Sequence, residues 1–116
     1  MATSVIKRTL SSDWTTATNW LSSAERGSAF ASWAGDTICI SFLTEARVHS
    51  ENDLIMTVPQ EWRPSGGIYV PVYAKNTCAL LVLNTDGTLK IWISPDSSVG
   101  SARLYGNFTY MRYISR

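Results

Sequence analysis

Residues Cys78–Asn84 read CALLVLN, a strand apolar on both faces, and they run through Thr85-Asp86-Gly87-Thr88 into TLKIWI. An Asp-Gly pair between two apolar runs is a strong short-range sign of a β-hairpin, because the turn needs a residue that accepts positive φ. A strand apolar on both faces cannot leave one side in water. It must lie between two layers or at a contact between subunits. That requirement excludes an isolated one-sided sheet and asks the rest of the chain for cover.

The cover is legible in the remaining periodicity. Asp36–Leu43 alternates, with Ile38, Ile40 and Phe42 on one face and Cys39, Ser41 and Leu43 on the other. Leu54–Val58 is a further strand, ended by Pro59. The segment Pro59–Gly67 carries two prolines and reads as an ordered loop with Trp62 as its anchor and Gly66-Gly67 allowing an unusual turn. Ile68–Ala74 is a strand whose Pro71 suits an edge or a bulge. In Thr88–Ile93, Leu89, Ile91 and Ile93 share a face opposite Lys90 and Trp92. The last strand, Ala102–Ile114, is expected to break or bulge near Gly106.

Ser4–Leu10 reads as a short strand, and Ser11–Ser32 as irregular with one or two short strands, since β-branched threonines argue against a helix. The expectation is a single all-β domain over 1–116, with an irregular segment over 1–33 and the main sandwich over 36–116. It holds about eight strands in an antiparallel β-sandwich or jelly-roll-like barrel.

Charge narrows the function classes. Ten Lys and Arg stand against nine Asp and Glu in 116 residues, with no run of either sign. Nucleic-acid binding by phosphate neutralisation needs a basic stripe, and none is present. No apolar run reaches the roughly 18 residues of a membrane span, and no secretory signal is read at the N-terminus. Charged residues make up only 16% of the chain, which favours a surface hidden in an oligomer. Cys39 and Cys78 lie in apolar strand patterns without a CxxC spacing, so no metal or redox site is read. Two buried free thiols are the main reading, with an inter-strand disulfide as the alternative.

Nothing in the pattern points to catalysis or to a cofactor. His49 is the one histidine, no G-x-S-x-G elbow accompanies it, and it reads as a surface residue on a polar strand. Most acids, Glu25 among them, fall in apparent turns. The five Trp and five Tyr are the informative residues, since aromatic rings stack on sugars and anchor interfaces. Trp92, Arg47 and His49 are the candidate ligand-binding residues, because their strand positions point away from the expected core.

Three pieces together resemble the receptor-binding head domains at the tips of phage tail and baseplate fibres. They are Pro59, Trp62, Arg63, Pro64 and Ser65; Asp86–Leu89; and Thr109-Tyr110. The resemblance covers roughly the second half of the chain. It implies a trimeric β head, like those of tumour necrosis factor-like proteins, that binds host cell-surface saccharide without cleaving it. It also implies a place on the virion among other virion proteins. The chain departs in having no heptad run or G-x-y repeat of a shaft. Two other readings stay open: a virion assembly protein on the same fold, such as a baseplate adaptor or capsid decoration, and a carbohydrate-binding module.

Overall fold

In the computed structural model, residues 14–94 and 100–113 are described. They form eight strands: β1 (Trp14–Thr16), β2 (Gly27–Ala34), β3 (Thr37–Thr44), β4 (Leu54–Thr57), β5 (Ile68–Ala74), β6 (Thr77–Leu83), β7 (Thr88–Ile93) and β8 (Tyr105–Met111). Short 3-10 turns lie at Thr18–Trp20 and Gln60–Trp62. The order across the sheet is β1-β2-β3-β8-β5-β6-β7-β4, antiparallel throughout. The sheet curls into a half-barrel, so the all-β expectation holds. The expected Ser4–Leu10 strand lies outside the described residues. β2 takes residues 27–33, seven positions of the segment expected to be mainly irregular, with Ala29 and Ala31 facing inward.

The curl follows from one seam. β3 and β8 pair over seven residues and β5 and β6 over seven, but β5 and β8 meet at the single pair Tyr73↔Tyr105. Along this seam the only further backbone links among the described residues are the isolated Pro64↔Arg112 bridge and the Tyr113 N–H to Arg63 carbonyl bond, so the sheet can fold its two halves toward each other. Alternation then sends one face of every strand into the shared core. Ile38, Ile40 and Phe42 come from β3, Val70, Val72 and Ala74 from β5, Leu81 and Leu83 from β6, and Phe108 and Tyr110 from β8. Leu21 bridges to Met56, drawing the outer strands of the two halves together. Pro71 sits where β5 has no partner on the β8 side, a place that tolerates a missing N–H.

Turn chemistry matches the turns. Lys75 and Asn76, with φ of 45° and 66°, make the two-residue β5–β6 hairpin. Positive φ at both positions is the type I′ signature. Between β6 and β7, Gly87 takes φ of 91° and donates its N–H to the Asn84 carbonyl at 2.9 Å. Asp86 accepts from the Thr88 hydroxyl at 2.7 Å and the Thr88 N–H at 3.0 Å. These bonds hold its carboxyl below the usual range, so they persist at neutral pH and are lost as pH falls through the lowered pKa.

The structure departs from expectation at Gly106, Ile93, the two cysteines and Gly66-Gly67. Gly106 marks no bulge: it pairs with Phe42 in a continuous β8, and a Cβ there would lie 2.2 Å from the Phe42 ring, which occupies that space. Ile93 does not join Leu89 and Ile91 inside, because a register shift between Leu80 and Leu81 turns it outward with Trp92. Cys78 is exposed rather than buried, since the face of β6 opposite Leu81 is only partly covered. Cys39 is half-buried, and both thiols are free. Gly66 and Gly67 stay outside the left-handed region, and the loop is held instead by Trp62. Its ring meets Trp20 edge-on and Trp33 at a tilt, each at 4.9 Å.

The Tyr110 hydroxyl donates to the Trp62 carbonyl at 2.7 Å and ties this loop to β8. Burial pushes the Tyr110 phenol well above its usual range. Its folded pKa is raised, so its contribution is complete below the ordinary tyrosine pKa and lost as pH rises through the folded one. Tyr110→Phe is expected to lower unfolding free energy by about 1 kcal/mol, the net worth of one hydrogen bond. Urea titration measures that loss. The same substitution should remove one phenol of raised pKa from an ultraviolet pH titration.

Candidate functional site

The seam between the half-sheets builds a cleft on the outer surface. Alternation along β5 buries Val72 and Ala74 and turns Tyr73 out. The same rule buries Leu104 and turns Arg103 and Tyr105 out. The one β5–β8 rung sets Tyr73 against Tyr105, ring centroids 5.9 Å apart and tilted by 57°. Tyr73 donates its hydroxyl to Asn76 Oδ1 at 3.1 Å, which steadies the ring against the turn carrying Lys75. Lys75, Arg103, Ser101, Ala102 and the short side chain of Ala46 complete a cleft of about 280 Å³. A second cleft, about 260 Å³ and lined by Ala24, Arg26, Glu45 and Arg47, adjoins it at Ala46.

Next to Ala46 in the chain, Arg47 joins Glu25, His49 and Asp53 in a largely buried ionic network. The Glu25 and His49 side chains have no solvent exposure. His49 Nε2 stands 2.9 and 3.1 Å from the two Glu25 oxygens. Facing a carboxylate that only accepts, Nε2 is the nitrogen that carries hydrogen and donates. Arg47 Nη1 donates to Glu25 Oε2, and Arg47 Nη2 lies 3.7 Å from Asp53 Oδ2. The Ser50 N–H donates to that same Asp53 oxygen at 2.8 Å. Arg47 and Ala102 exchange backbone bonds at 3.3 and 3.1 Å, and Leu104 N–H donates to Thr44 Oγ1 at 3.0 Å. The network and these bonds therefore clamp residues 45–53 against the segment 102–104 that carries Arg103 and leads into β8. His49 Nδ1 is buried and has no hydrogen-bond partner among the described residues. Among those residues no group of three or more His, Cys, Asp or Glu side chains is arranged to hold a metal.

The three sequence candidates do not share one surface. His49 is buried, contrary to the expected surface position: after the single Arg47↔Ala102 bridge the chain leaves the sheet and lays the imidazole over Glu25. Arg47 is partly exposed but engaged with Glu25 and Asp53. Trp92 is 54% exposed on β7, with Tyr69 edge-on to it at 6.4 Å. Together with Ile93, Leu80 and Val82 these two rings make a largely apolar strip on the outside of β5–β7, interrupted by Lys90 opposite Val82.

Sequence reasoning missed Tyr73, Lys75, Arg103 and Tyr105 as a group, and it missed Glu25. The outward phase of Tyr73 and Tyr105 was available from alternation, but the rung joining them is non-local. Glu25 reads as a turn residue and does follow a turn, while its carboxylate turns inward. No protein-family model matches the chain, and no curated protein matches it.

Proposed function

We propose that the protein is a non-enzymatic saccharide-binding head, working as a trimer on a phage or prophage tail or baseplate and recognising a host-surface glycan. One observation carries the saccharide reading: two exposed tyrosines converge on an open cleft beside hydrogen-bonding side chains. Flat rings supply apolar contact for the C–H face of a sugar, and flanking polar groups orient its hydroxyls. The order of the Pro59–Ser65, Asp86–Leu89 and Thr109-Tyr110 segments on an all-β chain supports the phage-head reading. A binding role fits a His–carboxylate pair that is sealed from solvent, where no substrate can reach the imidazole. The apolar strip at Tyr69, Trp92 and Ile93 supports self-association in a chain so poor in charge.

The strip also favours a second reading, a virion assembly protein whose partner covers it. Glycan-array binding of the purified protein separates the two. The saccharide reading expects a defined subset of glycans to bind and Tyr73→Ala to weaken binding about tenfold, the size of one lost aromatic contact. A Trp92→Ser variant should keep glycan binding and shift sedimentation from three chains toward one. An array with no binder, together with a monomeric protein, rejects the proposal. Glycan loss in Trp92→Ser with full retention in Tyr73→Ala moves the site to the strip.

A further inference from the structure

We infer that the Tyr73–Tyr105 cleft selects acidic saccharides, those bearing carboxylate or phosphate groups, an inference that rests on the saccharide reading above. Lys75 and Arg103 line the cleft, and among the described residues no Asp or Glu does. Two arginines are neutralised, Arg47 by Glu25 and Asp53 and Arg112 by Asp36 at 2.9 Å, and neither lines this cleft. Lys75 and Arg103 enter no ion pair among the described residues. What sets the cleft apart is that two unpaired cations converge on it beside two tyrosines, in a chain whose net charge is only +1.

Position adds a second argument. Lys75 occupies a left-handed turn position at φ of 45°, where Asn or Gly is the ordinary choice. A long cationic side chain there is conformationally unfavourable, yet Lys75 stands there and lines the cleft. Arg103 stands two residues before Tyr105, on the same outward phase. Its planar guanidinium offers the paired donors that match a carboxylate or phosphate. The tyrosine rings take the sugar face and the two cations take its acid group.

Calorimetry on the full chain tests this with four probes: an oligogalacturonate, a phosphomannan, a neutral galactan of similar length, and tripolyphosphate. At least one of the two acidic saccharides should bind about tenfold or more tightly than the galactan, weakening as salt rises. Arg103→Gln should reduce that affinity about tenfold, in line with losing one charge-assisted contact. Lys75→Asn should also reduce it while leaving thermal stability equal or higher, because Asn suits the turn. Equal affinity for acidic and neutral saccharides, unmoved by either substitution, overturns acid selectivity and leaves the saccharide reading standing. Tripolyphosphate binding as tightly as the acidic saccharides, indifferent to Tyr73→Ala, also overturns it in favour of a plain anion site. Absence of binding to every saccharide, neutral ones included, rejects the saccharide reading itself.

Discussion

Glu25→Ala is expected to destabilise the protein by about 3 kcal/mol, the lower end of the range for breaking a buried ion pair. The lower end applies because Arg47, at 34% side-chain exposure, can turn its head to water. His49 cannot: its side chain is fully enclosed, and losing Glu25 leaves both ring nitrogens without partners. Removing one member strands the others, whereas removing the buried pair together leaves less polarity to strand. Glu25→Leu/His49→Leu should therefore be less destabilised than the sum of its single variants, as read by urea unfolding. Additive losses would mean that Glu25 and His49 act independently. The same Glu25→Ala variant should weaken glycan binding, since the clamp fixes Ala46 between the two clefts.

Gly27→Ala is the second large effect, expected to cost about 2–4 kcal/mol from backbone strain and collision together. Gly27 has φ of 147°, and a Cβ there would lie 1.9 Å from the Leu43 carbonyl oxygen. The atom struck belongs to the backbone of β3, so no side-chain rotation relieves the contact. Its location makes the position costly, because Gly27 pairs with Thr44 two residues after Glu25. Any opening there moves the carboxylate away from Arg47 and His49. Gly35→Ala is the control: its φ of 61° is unfavourable for alanine, but nothing lies within 4 Å of the added carbon. It should cost about 1 kcal/mol, the left-handed penalty alone. Thermal melts of the two variants distinguish collision from backbone preference, and equal losses would contradict the difference argued here.

What the chain discloses depends on range. Alternation in Asp36–Leu43 predicted which side chains of β3 enter the core, and Asp86-Gly87 predicted the β6–β7 turn, because both are local consequences of backbone geometry. Pro71 at the open side of β5 and Trp62 as the loop anchor follow from single-residue chemistry in the same way. The misses are non-local. Gly106 looks like a break until Phe42 is placed across from it. His49 looks like a surface residue until Glu25, 24 positions earlier, arrives beneath it. Tyr73 and Tyr105 are ordinary outward-facing residues until the one rung between two half-sheets makes them neighbours. A cleft assembled from two strands far apart in the chain leaves no spacing to read.

The central claim is that saccharide binds where Tyr73 and Tyr105 converge. The most direct test is an amide and aromatic NMR titration of the isotopically labelled protein with whichever of oligogalacturonate and phosphomannan binds more tightly. The account predicts shifts concentrated at Tyr73, Lys75, Arg103 and Tyr105, with Tyr69 and Trp92 unmoved. Shifts centred on Tyr69 and Trp92, or none at a concentration that saturates binding, would contradict it.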